Sequence, residues 1–326
     1  MRAAIVFGAL SALPFGFTAA WVQNLFFFTL MYAALASAWN IVGGYSGYIS
    51  LGHAAFFGVG AYAVGITFTH WSIGGGYRPF YVLPLVGLGV AVASVPVGWV
   101  AYRTRAATFA IVTITFLFVA QQLAYNLRSL TGGSQGIAIP PPSFPVASYD
   151  VPFYYAMLGV LALSMLASWY VGGSKLGLAL VAIRDDEDRA RGLGVQTTLA
   201  KLTSFAVSAG LVSMAGGIWA YYIAFVYPQF AVDPLVTIGM VLMVYLGGRG
   251  TLWGPVLGAF ILVPAQQYLA YRLGASELYL VGYSAVFLVV MLLLPRGILP
   301  SLRDRGRRLR VRRTPPGRRA EEVVAS

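Results

Sequence analysis

His53 and His70 are the only histidines in this chain, and it has no cysteine. That excludes disulfides and thiolate metal sites, and it argues against a multi-histidine metal centre. Phosphate chemistry fares no better. A Walker A loop ends in Gly-Lys-Ser/Thr, whereas the only lysines, Lys175 and Lys201, follow Ser174 and Ala200. The chain therefore has no P-loop of its own. Its ten acids are Asp150, Asp185, Asp186, Glu187, Asp188, Asp233, Glu277, Asp304, Glu321 and Glu322. None falls within a predicted membrane span, where proton-coupled carriers place their carboxylates. The hydroxyl residues are scattered and neither histidine has an embedded acidic partner, so no nucleophile–base pair stands out. No catalytic residue and no metal ligand is assigned. The expectation is a protein that is not an enzyme and draws any energy it uses from outside the chain.

What the chain does concentrate is charge. Residues 175–201 read KLGLALVAIRDDEDRARGLGVQTTLAK and hold nine charged side chains: Lys175, Arg184, Asp185, Asp186, Glu187, Asp188, Arg189, Arg191 and Lys201. A charge at a bilayer centre costs about 2.5–3.5 kcal/mol, so the whole stretch is expected to lie in water. Residues 178–193 can form one helix, with Asp185–Arg189 and Glu187–Arg191 as acid-first i,i+4 pairs. Gly192 and Gly194 would stop it, and Thr197 or Thr198 can cap the next span. Such a helix between two spans can press into a groove on a soluble motor. A solvated, self-paired loop is the plainer alternative.

The elements around this stretch are apolar. Hydrophobic residues make up 59% of the chain and charged residues 10%, with a mean hydropathy of +0.75. Soluble domains carry about 25% charged residues. The fold class expected is an all-α polytopic membrane protein, because apolar runs of about 20 residues suit helices rather than barrel strands. Ten spans are predicted: 3–22, 24–42, 50–69, 79–101, 106–126, 152–172, 202–225, 234–247, 253–272 and 278–295. The first could pass for a signal peptide, but its length and direct run into the next span favour retention. With both termini inside, 19 of the Lys and Arg residues fall on the inner side and three, Arg78, Arg128 and Arg272, outside. The positive-inside rule supports this topology. It divides the chain into a membrane domain, 1–300, with a cytoplasmic loop at 173–201, and a basic cytoplasmic tail, 301–326, expected to be disordered. The net charge of +12 is weighted towards that tail, which suits anionic lipid heads better than nucleic acid.

Three further stretches are unusual. Residues 40–65, NIVGGYSGYISLGHAAFFGVGAYAVG, hold glycines at 43, 44, 47, 52, 58, 60 and 65. These suit close helix packing or a broken helix lining a cavity. Asn40, Gly43, Gly44, Gly47, Ser50, Gly52 and His53 are the candidates for a translocation path, although His53 reads more readily as a hydrogen-bonded packing residue. A second glycine cluster, LGGRGTLWGPVLGAF, spans 246–260 and hints weakly at an internal repeat. The external loop 127–151 is rich in Gly and Pro, with an extended path at Pro140, Pro141 and Pro142. It reads as a connector, a partner-docking surface or a gate.

Several segments, in order, carry a family resemblance: NIVGGYSGYISLGHAAFFGVGAY, ATFAIVTITF, LTGGSQGI, GLALVAIRDDEDRARGLGV, AGGIWAYY and VYLGGRGTLWGPVLGAF. Together they resemble the LivM-type permease of branched-chain amino acid ABC importers over about residues 25–300. Asp188-Arg189-Ala190-x3-Gly194 is similar to the Glu-Ala-Ala-x3-Gly coupling motif of ABC importer permeases, departing at its first two positions. The resemblance implies a permease of the type II importer kind in a bacterial cytoplasmic membrane. It implies pairing with a second, LivH-type permease, two cytoplasmic ATPases that hold the ATP and Mg, and an extracytoplasmic binding protein that delivers leucine, isoleucine or valine. It places the ATPase stroke on Arg184, Asp185, Asp186, Glu187, Asp188, Arg189, Ala190, Arg191 and Gly194, and it implies no cofactor on this chain. A related importer for urea or short amides shares these motifs. A stand-alone secondary carrier is the other class to exclude.

Overall fold

The computed structural model describes residues 2–16, 19–71, 75–145, 148–273 and 297–302, with Val281, Ser284, Ala285 and Leu288 as isolated positions. The predicted tenth span, 278–295, lies almost wholly outside the described residues, as does the basic tail from 303. Eight helices follow the next eight predicted spans after the first: α2 (Ala20–Gly43), α3 (His53–Trp71), α4 (Arg78–Ala101), α5 (Ala106–Asn126), α7 (Asp150–Gly173), α10 (Thr197–Ile223), α12 (Pro234–Gly247) and α13 (Gly254–Leu273). The first span is realised as α1 (Arg2–Gly16), and Ala20 to Val22 belong to α2 instead. Among the described residues six segments are long and apolar enough to cross a membrane: α2, α4, α5, α7, α10 and residues 228–247. The protein is a mostly helical, multi-pass membrane protein.

Helix α10 is the centre of the bundle, packing against α2, α3, α4 and α7. Its buried side includes many small residues, among them Ser204, Ser208, Ala209, Ser213 and Gly216, alongside larger ones such as Phe205 and Tyr221. Small residues let membrane helices approach backbone to backbone. A Cβ on Gly216 would sit 2.0 Å from the Phe57 carbonyl oxygen of α3, and one on Gly60 of α3 would sit 1.9 Å from that of Ser213. Neither position has room for a side chain. On the outside, Tyr81, Leu85, Leu88 and Val92 of α4 and Ile111, Phe118 and Val119 of α5 are exposed, an apolar surface suited to lipid.

The connections gather at two ends. At one end the loop 44–52, the turn 102–105, the charged segment and the loop 248–253 come together. At the other, the short helix α6 (Arg128–Thr131) and a 3-10 turn, Gly133–Gln135, lead to β1 (Ile137–Ala138). This strand pairs antiparallel with β2 (Phe225–Val226), which precedes the short helix α11 (Pro228–Ala231). Among the described residues, these two-residue strands depart from an all-helical reading. They pair backbone groups that an irregular loop would otherwise leave open.

Candidate functional site

The charged segment does not form the single helix expected over 178–193. Its sequence makes two: α8 (Lys175–Asp185) and α9 (Glu187–Gly192). Asp186 separates them with φ −162° and ψ 107°, and its carboxylate accepts the Arg189 N–H at 3.0 Å as the N-cap of α9. A short acidic side chain competes with helix continuation by bonding the backbone two or three residues on. The break also re-pairs the charges. Asp185–Arg189 does not form. Arg189 instead meets Asp186 at 2.9 Å, and Arg184 meets Asp185 at 3.5 Å. Glu187–Arg191 forms as expected at 3.2 Å.

The C-terminus of α9 is a Schellman closure. Val195 N–H donates to the Ala190 carbonyl at 3.1 Å and Gly194 N–H to that of Arg191 at 3.0 Å. Gly194 has φ +86° with open space around it, so conformation rather than crowding requires glycine there. The cap predicted from Thr197 or Thr198 is absent. Gln196 occupies the cap position without a side-chain bond, and Thr197 accepts from Arg191 at 3.5 Å.

The largest correction concerns Lys201. Expected in water, it lies in the second turn of α10 with its side chain 2% exposed. Its ammonium donates to Glu187 Oε1 at 2.6 Å and to the Tyr48 hydroxyl at 3.4 Å. It also lies over the rings of Tyr48 and Tyr102, at 4.6 and 5.1 Å from their centroids. The Tyr48 hydroxyl donates to Glu187 Oε2. Burial alone would push the Glu187 carboxyl up. The hydrogen bonds from Lys201 and Tyr48, with the charges of Lys201 and Arg191, outweigh burial and hold it below the usual carboxylate range. Tyr48 is pushed up, first by burial and then by its bond to Glu187. Sequence spacing gave no sign of this cluster. The available signal was a lone lysine seven residues before Ser208, on the same face of an otherwise small and apolar helix.

Beside this cluster is an open cleft of about 420 Å³ that the four connections share. Arg103, Arg105, Arg184, Arg191 and Arg249 line it, with Glu187 and Asp188. Asp188 and Arg105 approach to 3.9 Å, both well exposed. Arg189 and Asp185 are also exposed, whereas Ala190 is buried. Arg184 is anchored: its guanidinium donates to the Gly44 carbonyl at 3.4 Å. Gly47, at φ +78°, passes so close that a Cβ there would lie 2.8 Å from Arg184 Cγ.

The other predicted site residues knit this end together. Asn40 is fully buried. Its Oδ1 accepts the Gly250 N–H at 2.9 Å and its Nδ2 donates to the Thr251 carbonyl at 3.1 Å. The two glycine clusters therefore meet here through one amide. Gly43 and Gly44 close α2 over Trp39 and Asn40. Gly52 lies against the Thr113 carbonyl of α5, and the Thr113 hydroxyl accepts the Leu51 N–H at 3.0 Å. His53 is fully buried at the start of α3, 2.8 Å from Ser50 Oγ and 2.9 Å from Ser208 Oγ. Ser208 donates its own proton to the Ala38 carbonyl at 2.7 Å. It must therefore accept from His53 Nε2–H, which leaves Nδ1 to accept from Ser50. The ring thus ties α3 to the loop 44–52 through Ser50 and to α10 through Ser208, which in turn bonds α2 at Ala38. Among the described residues no group of three or more His, Cys, Asp or Glu is placed to hold a metal ion.

Comparison with known proteins gives this arrangement its family. A family described as the branched-chain amino acid transport system / permease component matches residues 3–295. The chain is 30% identical to the high-affinity branched-chain amino acid transport system permease protein LivM of Salmonella typhimurium, over 84% of this chain and 69% of that protein. The LivM of Escherichia coli strain K12 matches with the same identity and coverage. LivH of Salmonella typhimurium, a permease protein of a high-affinity branched-chain amino acid transport system, is 23% identical over 82% of this chain and 91% of its own length. No solved structure matches. With the match running from α1 through the bundle and the charged segment, the chain belongs to the branched-chain amino acid transport permease family.

Proposed function

We propose that this chain is the LivM-type permease subunit of an ATP-driven importer of branched-chain amino acids. The observation that carries the proposal is the family match over residues 3–295, which takes in both the helix bundle and the charged segment. In this reading the chain crosses a bacterial cytoplasmic membrane ten times, with both termini in the cytoplasm. It pairs with a second, LivH-type permease. Two cytoplasmic ATPases bind the charged end and hold ATP and Mg, and an extracytoplasmic binding protein delivers the amino acid at the opposite end. The basic tail rests on anionic lipid.

Arg184–Gly194 is the ATPase-coupling region in this account. The short, capped helix α9 and the arginine-lined cleft beside it offer an exposed, charged docking surface, which supports that role. Asn40, Gly43, Gly44, Gly47, Ser50, Gly52 and His53 fix the ends of α2 and α3 and act on the path by holding those helices in register.

Co-purification tests the assembly. A tagged chain, co-expressed with its second permease and ATPases, is expected to bring down both. Arg105→Glu with Arg189→Glu changes two of the most exposed charges of this face. The double variant should lose most of the ATPase while keeping the second permease. Undiminished ATPase in the pull-down would contradict the coupling assignment. Retention of neither partner by the unaltered chain would contradict the importer itself.

A further inference from the structure

We propose that Glu187, Lys201 and Tyr48 are positioning residues that transmit movement of the charged segment into α10; the inference rests on the coupling reading above. The segment has other contacts outside itself, such as Arg184 with the Gly44 carbonyl and Asp188 with Arg105. Glu187 is different, because one carboxylate joins three elements: α9, which carries it; α10, through Lys201; and the loop 44–52, through Tyr48. That loop returns to α10 by a second route, through Ser50, His53 and Ser208. The result is a closed ring of polar contacts, anchored at Lys201 and Ser208 on one face of α10. A push on α9 therefore reaches two points two turns apart on the helix that packs against α2, α3, α4 and α7.

The chemistry favours a directional role over a merely adhesive one. Buried ion pairs add little net stability, and apolar replacements of similar size are often neutral or stabilising. What the pair adds is geometry. Lys201 can satisfy its protons only with Glu187 and Tyr48 in place, whereas an apolar pair tolerates sliding.

The test uses the full complex in proteoliposomes with its binding protein. Assembled complex, ATP hydrolysis and amino-acid uptake are measured for Lys201→Met, Glu187→Gln and the apolar double variant Glu187→Leu/Lys201→Met. All three leave the exposed charges Arg105, Asp188 and Arg189 of the docking face in place, and Glu187 itself faces Lys201 rather than that face, so each should assemble and hydrolyse ATP. Uptake per ATP should fall several-fold in each, and no further in the double variant, because the residues act as one unit. The double variant should regain thermal stability without regaining coupling. Recovery of both would show that the pair only packs, and wild-type uptake per ATP in the single variants would equally overturn the proposal. So would loss of the complex in every variant, which would make the residues folding determinants. If the unaltered complex fails to import on ATP, the importer reading fails instead.

Discussion

At the scale of single residues, the lesson lies in Lys201. Bilayer insertion costs lead one to expect every charge of the 175–201 segment in water, and the side chains of Asp185, Asp188 and Arg189 are exposed. Lys201 is buried because partners far apart in sequence offset its desolvation: Glu187, 14 positions earlier, and Tyr48 on another loop. Such a pair carries no local periodicity, so a single sequence does not display it. It has a pH signature. Because the Glu187 carboxyl is held below its usual value, its contribution to stability is present above the unfolded-state value of about 4.3 and is lost as pH falls through the lower, folded-state value. The thermal midpoint of the purified chain in detergent should therefore drop across that acidic window. Glu187→Gln should lower the midpoint at neutral pH and flatten that part of the profile. An unchanged acid profile in the variant would show that Glu187 is not the group responsible.

At the scale of elements, eight predicted spans found their helices within a few residues at most ends, because long apolar runs are the strongest pattern a membrane sequence carries. The charged segment was legible in its end but not in its middle. Gly194 was recognisable as a stop from its residue type. Asp186 was not recognisable as a break, because Asp185, Asp186, Glu187 and Asp188 offer several equivalent caps and pairings. In the structure Asp186 takes the cap, and Glu187 is held by Lys201. Glycine placement was also half-legible: the cluster at 43–65 signalled close packing, but not its partners, which are Thr113 of α5 for Gly52 and Ser213 of α10 for Gly60. Gly216→Ala tests that contact. Its methyl would meet the Phe57 carbonyl, forcing α3 and α10 apart at a cost of about 1–3 kcal/mol. Thermal unfolding should show the loss, whereas Gly159→Ala, on α7 with open space around it, should leave stability within about 0.5 kcal/mol of wild type. Equal behaviour of the two variants would contradict the packing described.

At the scale of the whole molecule, charge asymmetry along the sequence anticipated which connections share a side. The loop 44–52, the turn 102–105, the charged segment and the loop 248–253 meet around one arginine-lined cleft. Arg78 and Arg128 lie with the connections at the opposite end. No single span dictates that sorting; it follows from helices that alternate in direction and from basic residues that avoid crossing. The cleft itself was not legible, because it is assembled from four separate segments. In this account energy enters at the charged end, passes into α10 and moves an amino acid that arrives at the other. The most direct measurement is leucine uptake into proteoliposomes containing this chain, its second permease, the ATPases and the binding protein, with ATP supplied on the ATPase side. The account predicts uptake that requires ATP and every subunit, is shared by isoleucine and valine, and is absent for urea and short amides. Gradient-driven uptake by this chain alone, or ATP-driven uptake of urea or amides in preference to leucine, would contradict it.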